Sequence, residues 1–211
     1  LGIIRLTDGV VTFTPTAGAP VTNAEGQPLP AEATVFGPSL ARPVTVAHGS
    51  LRWFVIRRGN RYAIRLRDLD SPFLKAFAGI DRFPVDASYR VQARLERPTQ
   101  PNSRTIPILD VTGQTSQQPL AGTLVFHLGG KTHRLDAVAE GSDKLFILFT
   151  DATNQHDTYG SGRFLYADVP GPDGLVTLDF NQCINPPCAF TPFATCPLPP
   201  KQNRLATAVQ A

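Results

Sequence analysis

The polar side chains best suited to chemistry lie in the last third of the chain. Arg163, Asp179 and Asn181 supply a guanidinium, a carboxylate and a carboxamide on two successive predicted strands. A guanidinium pairs with a carboxylate or phosphate through two parallel hydrogen bonds, and the acid and amide would complete the recognition of a polar molecule. We interpret the three residues as a candidate ligand site.

Four further polar residues flank those strands. Tyr159 and His156 precede the first strand, and Asn185 and Cys188 follow the second. Prolines 186 and 187 fix the backbone before Cys188 and therefore aim its thiol. We expect Tyr159 and His156 at the rim of the same site.

Enzymatic chemistry could take two forms within this block. Cys188 with His156 would be a thiol nucleophile and its base. Asp179 with Asp151 or Asp157 would be an acid and base pair for hydrolysis. Neither pairing is favoured by spacing, so the sequence leaves open whether the protein is an enzyme.

The same block also allows a metal site or a purely structural role. His156, Cys188 and Cys196 are zinc-ligand types, but the spacing C-x4-C-x7-C from Cys183 onward matches no standard zinc pattern, and we expect no metal and no cofactor. In the structural interpretation, Arg163 and its strand neighbours form a buried network that holds the proline-rich tail in place.

A second cationic surface is predicted near the N-terminus. Residues 51–58 and 61–67 alternate around Gly59-Asn60, which is typical of a two-residue hairpin turn. In that register five arginines share one face beside Phe54 and Ile56, and four of them form an anion-binding candidate: Arg58, Arg61, Arg65 and Arg67, with Arg52 the fifth. The alternative is a solvated face with no ligand.

Hairpin register also positions the C-terminal candidates. If residues 170–174 form a five-residue loop, Arg163 lies opposite Asn181, Leu165 faces Asp179, and Phe164 shares the apolar face with Leu178. The polar face would then point into a barrel or sandwich, where each group needs a partner or a ligand.

The composition favours strands throughout. Twenty prolines and seventeen glycines without a repeat indicate many short elements, and strands recur at roughly ten-residue spacing, as in barrels and sandwiches. The predicted fold is all-β, with one short helix near residues 72–78. We divide it into an N-terminal β region, 1–97, and a barrel-like C-terminal region, 104–211, with an ordered proline-rich tail, or one continuous domain.

Charge and cysteine usage limit the partners. A net charge of +3 falls short of the excess that indicates nucleic acid, and no apolar run approaches the ~20 residues of a membrane span. An odd count of cysteines without paired spacing argues against a disulfide framework, although Cys188 and Cys196 could bridge a short loop, and it favours a reducing, cytoplasmic location. The chain opens on Leu1 without methionine, so we expect a missing N-terminus and leave a removed export signal open. Nothing in the sequence indicates an oligomeric state.

Three C-terminal strings carry a family resemblance: Thr158-Tyr159-Gly160-Ser161-Gly162-Arg163-Phe164-Leu165, Leu178-Asp179-Phe180-Asn181, and Asn185-Pro186-Pro187-Cys188-Ala189-Phe190 with Asn203-Arg204-Leu205 after it. Together with Ile64-Arg65-Leu66-Arg67-Asp68 upstream, they resemble the bacterial family called domain of unknown function 1684. The resemblance implies no agreed activity. The chain departs from it at Cys183, where a small apolar residue is expected.

We therefore predict binding of a small polar or anionic ligand at the mouth of the C-terminal barrel. A competing hypothesis is an uncharacterised hydrolase that uses the same polar cluster. A third hypothesis is a non-catalytic module that docks an acidic partner through the arginine-rich ribbon.

Overall fold

A computed structural model describes residues 1–99 and 104–211. Short strands dominate it, which confirms the all-β prediction. Residues 100–103, most of the predicted linker, lie outside the described part. The strands are β1 Gly2–Thr7, β2 Val10–Pro15, β3 Thr22–Asn23, β4 Ala33–Phe36, β5 Val46–His48, β6 Leu51–Arg58, β7 Arg61–Asp68, β8 Arg90–Glu96, β9 Thr105–Leu109, β10 Thr115–Leu128, β11 Lys131–Glu140, β12 Lys144–Phe149, β13 Arg163–Asp168 and β14 Leu175–Asp179.

The helical content is small. Helix α1 covers Pro72–Lys75, and single-turn 3-10 helices in the described ranges cover Ala87–Tyr89, Phe180–Gln182 and Pro187–Ala189. The predicted helix near 72–78 is therefore confirmed but shorter than expected. None of its residues is buried, so no packing extends it beyond the turn that Pro72 initiates. No helix in the described ranges has both the length and the apolar character needed to cross a bilayer.

The chain divides into two compact units, Leu1–Ala78 and Gly79–Ala211. The sequence placed the division at residues 97–104 instead. The difference comes from β8, which pairs with β10 and β14 and so belongs to the sheet of the second unit.

The first unit contains two small sheets with the orders β1-β2-β4 and β3-β5-β6-β7. Asp8-Gly9 turns β1 into β2, and both residues have the positive φ that a tight hairpin requires. Gly59-Asn60 turns β6 into β7 in the predicted register, with Arg58 opposite Arg61. Phe13 and Trp53 meet edge to face at 5.1 Å in the core of this unit.

The second unit is a nearly closed barrel with the strand order β13-β12-β11-β10-β8-β14. Inward-facing residues of all six strands form its core, including Phe126, Phe149, Leu165 and Leu178. The C-terminal tail contributes Leu205 and Val209 to the same core. The tail therefore contributes to the core of this unit.

One end of β10 leaves the barrel to pair with β9. This ribbon packs Ile106 and Ile108 on the outer side of the barrel against Leu148, Phe164 and Cys196. The strand shifts register at Gly122, where a Cβ would lie 2.5 Å from the oxygen of Glu96. Only glycine allows β8 and β10 to approach this closely.

The predicted pairing of the two strands that flank residues 170–174 is wrong. β13 pairs with β12, β14 pairs with β8, and the two strands flank the gap of the barrel. Arg163 lies opposite Phe149 instead of Asn181, and the chain after β14 meets β13 only at the bridge between Phe164 and Ile184. A loop length alone does not fix register when each strand has a better partner on its other side.

Candidate functional site

Arg163 occupies the end of the barrel where β12 ends and β13 begins. Its side chain points inward, is 4 % exposed, and contacts Asp151, with Nη2 donating to Oδ2 at 2.8 Å. Nη2 also donates to the oxygen of Val209 at 2.7 Å, and Nη1 donates to the main-chain oxygen of Ala211 at 2.6 Å. The guanidinium carbon lies 5.4 Å from the ring centroid of Phe149. Arg163 therefore binds the chain's own tail.

Asp151 completes this buried network. Its Oδ1 accepts from the amide and the hydroxyl of Thr153 at 2.8 and 2.6 Å, and from the amide of Val209 at 3.2 Å. Thr153 is 1 % exposed and Asp151 5 %. A buried ion pair is tolerated when further hydrogen bonds satisfy both charges. The Asp151 carboxylate and both terminal nitrogens of Arg163 are hydrogen-bonded in this way, whereas the Nε of Arg163 is buried without a hydrogen-bond partner in the part of the chain that the structure describes.

Asn203 anchors the tail to the barrel wall. Its Nδ2 donates to the oxygens of Asp136 and Leu148, both at 2.8 Å, and its Oδ1 accepts from the amide of Asp136 at 2.7 Å. The side chain is 1 % exposed. One carboxamide thus satisfies main-chain groups of β11 and β12 together, which explains a fully buried amide without invoking a ligand.

Gly162, which precedes Arg163 in the chain, has a packing role. Its φ is +96°, and a Cβ there would lie 2.5 Å from the oxygen of Phe149 and 2.7 Å from Pro199. Glycine lets the chain enter β13 directly beneath the tail.

Asp179 and Asn181 lie together but apart from Arg163. Asp179 Oδ1 accepts from the side-chain and main-chain nitrogens of Asn181 at 2.9 and 3.2 Å. Asn181 also exchanges two hydrogen bonds with the main chain of Asp86, at 2.9 and 3.0 Å. The hydrogen bond from the Asn181 side chain is the main reason that the pKa of Asp179 lies below its ordinary value, with Gln182 and Arg90 adding to it. This pair caps the end of β14.

Tyr159 and Cys188 form a third, separate group. The Tyr159 hydroxyl donates to the main-chain oxygen of Cys188 at 3.2 Å. A hydrogen bond to the Cys188 side chain raises the pKa of Tyr159. His156 is exposed, and among the described residues neither its ring nor the half-buried Asn185 side chain makes a hydrogen bond. The seven predicted ligand residues therefore do not converge on one cavity.

The enzymatic and zinc hypotheses lack their geometry. Within the described ranges, no hydrogen bond joins Cys188 to His156, and no group of three histidine, cysteine or acidic residues is placed to hold a metal ion. Asp151 is engaged with Arg163 and Asp179 with Asn181. Burial raises the pKa of the Cys183 thiol to about 12, so it is a core residue and a poor ligand.

The opposite end of the barrel carries a depression of about 600 Å³ that sequence reasoning missed. Apolar residues line it, including Leu95, Leu120 and Leu145, and three cations border it: Arg97, Arg104 and Lys144. Lys144 pairs with the exposed Asp168. No acidic side chain is among its described lining residues. The available signal was the pair of arginines that bracket the predicted linker.

A smaller depression of about 330 Å³ lies on the outer side of the barrel beneath the β9–β10 ribbon. Tyr166 and Phe146 stack there at 4.9 Å, and Glu140 stands at the edge. Burial, with a smaller contribution from Glu140, raises the pKa of Tyr166. The walls of this depression are mostly apolar.

The arginine-rich ribbon has the predicted faces. Arg52 lies opposite Arg67, and Arg58 opposite Arg61, on the side that also carries Arg65. Arg67 stacks over Phe54 at 5.7 Å, and Arg52 donates to two main-chain oxygens. Like charges directly across a ladder are destabilising, so the chain maintains this face at a cost in stability.

Comparisons with known proteins agree with the resemblance. A family model described as "Protein of unknown function (DUF1684)" matches residues 75–211, a range that excludes the upstream strings around Arg65. The chain is also similar to an uncharacterised protein of Haloarcula marismortui solved by solution NMR. The two are 32% identical over 65% of this chain and 77% of that chain, with a TM-score of 0.53. No curated protein matches the chain. On this evidence the chain belongs to the DUF1684 family of proteins of unknown function.

Proposed function

We propose that the protein binds a small anion with an apolar body, either a carboxylate or a phosphate ester. The proposed site is the depression of about 600 Å³ at the end of the barrel opposite Arg163, which we call the open end. The observation that carries the proposal is that Arg97, Arg104 and Lys144 all line one depression whose other lining residues are mostly apolar. These cations come from three separate segments, next to the end of β8, the start of β9 and the start of β12. Chance charge runs are usually contiguous in sequence, and this set is not.

The floor of the depression supports an apolar ligand body. Leu145 is 1 % exposed and belongs to the barrel core, and Leu95 and Ala121 pack against that core. The volume lies within the range of about 300–1,000 Å³ that is usual for small-molecule sites, which also favour the mouths of barrels. The ligand class predicted from the sequence is thus retained, and its location moves to the other end of the barrel.

The experiment compares matched probes by isothermal titration and thermal shift. Hexanoate and phenyl phosphate test the two anionic groups, and hexanol and benzyl alcohol are their neutral counterparts. At a concentration of about 100 Kd, a bound anion stabilises the protein by about 2.7 kcal/mol, which is easily measured. Added salt should weaken the binding, since these cations are exposed.

Two arginine variants locate the site. Arg104→Ala should weaken anion binding at least tenfold, whereas Arg65→Ala, an equal charge change on the ribbon of the first unit, should leave it unchanged. Equal affinity for the neutral probes, or loss of binding in Arg65→Ala alone, would show that the open end is not an anion site.

A second candidate is docking of an acidic protein on the arginine-rich ribbon. The cross-strand pairs Arg52–Arg67 and Arg58–Arg61 favour it, because a partner's carboxylates would relieve their repulsion. Poly-glutamate should bind with a strong salt dependence that Arg58→Ala together with Arg61→Ala reduces. If Arg97→Ala reduced poly-glutamate binding to the same extent, the attraction would be unspecific and due to the net positive charge of the chain.

A further inference from the structure

Two cysteines of the tail are held side by side. The main-chain nitrogen of Cys188 donates to the sulfur of Cys196 at 3.1 Å. Both side chains belong to the apolar cluster beneath the β9–β10 ribbon. An N–H···S bond of this length places the Cα of Cys188 about 4 Å from that sulfur and the two Cα atoms no more than about 7 Å apart, and disulfides span about 4.4–6.8 Å.

We propose that Cys188 and Cys196 are a dithiol pair that a low-molecular-weight disulfide oxidises to an intramolecular disulfide. Both are reduced in the structure, and rotation of the Cys188 side chain toward Cys196 is the movement that the bond requires. The proposal concerns covalent modification and is independent of the ligand site at the open end of the barrel.

Exposure sets the order of the chemical steps. Cys196 is 3 % exposed, whereas Cys188 is half-buried, so Cys188 meets the reagent first. Its thiolate attacks one sulfur of glutathione disulfide, forms a mixed disulfide and releases one glutathione thiolate. The Cys196 thiolate then attacks the Cys188 sulfur and releases the second glutathione. Two protein thiols are oxidised, one glutathione disulfide is reduced, and the two thiol protons end on the two glutathione molecules.

Local groups favour the second step. The amide of Cys188 donates to the Cys196 sulfur and so holds that sulfur beside Cys188. The resulting bond would fasten the 3-10 helix Pro187–Ala189 to a segment that already pairs with the ribbon, since the main-chain oxygen of Cys196 accepts from the amide of Val111 and Pro197 bridges Asp110.

Cys183 provides a control within the same chain. The residue is half-buried and packs against the barrel core, where desolvation raises the pKa of its thiol to about 12 and suppresses the thiolate. It should therefore remain reduced and unalkylated in the native protein under conditions that oxidise the other two.

The experiment is incubation of the full chain with defined ratios of reduced and oxidised glutathione, acid quench, alkylation under denaturing conditions, and peptide mass spectrometry. We expect loss of two hydrogen atoms on a peptide pair that contains Cys188 and Cys196, and one alkylated cysteine, Cys183. The oxidised form should melt roughly 5 °C higher than the reduced form, because the bond restricts the unfolded chain.

Three variants decide between outcomes. Cys183→Ser should still form the bond, and Cys188→Ser should not. In Cys196→Ser the reaction should stop at a mixed disulfide on Cys188. Persistence of that glutathione adduct in the wild-type chain, a bond that involves Cys183, or three alkylated cysteines at every ratio would each overturn the proposal.

Discussion

We call the end of the barrel that holds Arg163 and the C-terminal tail the closed end. Replacing Arg163 with alanine tests whether the stability of this end depends on its buried ion pair. The guanidinium donates to the Asp151 carboxylate and to the oxygens of Val209 and Ala211, and none of these contacts faces solvent. Removing one partner of a buried pair costs about 3–5 kcal/mol, because the other charge stays buried. Asp151 keeps three donors of its own, from Thr153 and Val209, so a value near ~4 kcal/mol is expected.

That loss has a measurable size. For a chain of this length, a loss of about 1 kcal/mol moves the melting temperature by about 2–4 °C, so Arg163→Ala should melt roughly 8–16 °C lower. Urea titration followed by far-ultraviolet circular dichroism measures the loss directly. Fluorescence of Trp53, the chain's one tryptophan, reports the first unit separately.

Two matched variants calibrate the result. Arg134→Ala breaks an ion pair with Glu96 in which both side chains are about half exposed, and should cost no more than about 1 kcal/mol. Arg163→Lys keeps the charge but loses the planar fork, and should lie between the two. If Arg163→Ala costs no more than Arg134→Ala, the network does not hold the tail and our reasoning about the closed end fails.

Three further predictions concern the same unit. Asn203→Ala should cost about 3 kcal/mol or more in urea titration, because it leaves buried groups of Asp136 and Leu148 unpaired, whereas the exposed Gln202→Ala should cost little. Gly162→Ala should reduce the melting temperature and the yield of folded protein, because its Cβ meets the oxygen of Phe149; Gly171→Ala, in a surface loop, is the control, and equal melting temperatures would contradict the packing argument. The lowered pKa of Asp179 means that its carboxylate stabilises the fold fully above pH about 4, and that this contribution disappears as the pH falls through the lowered value. Asp179→Asn should therefore flatten the dependence of the urea midpoint on pH below about 4, and an unchanged dependence would contradict this assignment.

Local signals in the sequence were sufficient to predict most of the strands and turns. Asp8-Gly9 and Gly59-Asn60 fix their hairpins because a two-residue turn leaves one register. The five-residue loop at 170–174 leaves more freedom, and sheet closure sent β13 to β12 and β14 to β8. Arg163 points into the barrel, but its partners come from the tail, a distant segment without periodicity.

The candidate site shows the same limit more sharply. Asp179 and Asn181 lie together because they are close in sequence, and a carboxylate at a strand end often accepts from the residues that follow it. Arg97, Arg104 and Lys144 meet only through the curvature of the barrel. No spacing rule links them, because the barrel mouth collects the ends of strands that are remote in the chain.

The family resemblance bears differently on the two ends of the barrel. The strings that carry it, from Thr158 to Leu165 and from Asn203 to Leu205, supply Gly162, Arg163 and Asn203, all of which are engaged by the tail or the barrel wall. Side-chain contacts that close a barrel depend on the fold and not on the ligand. Arg97, Arg104 and Lys144 lie outside those strings. The strings therefore report on the end of the barrel that Arg163 and the tail fill, and they carry no information about the anion site that we propose at the opposite end.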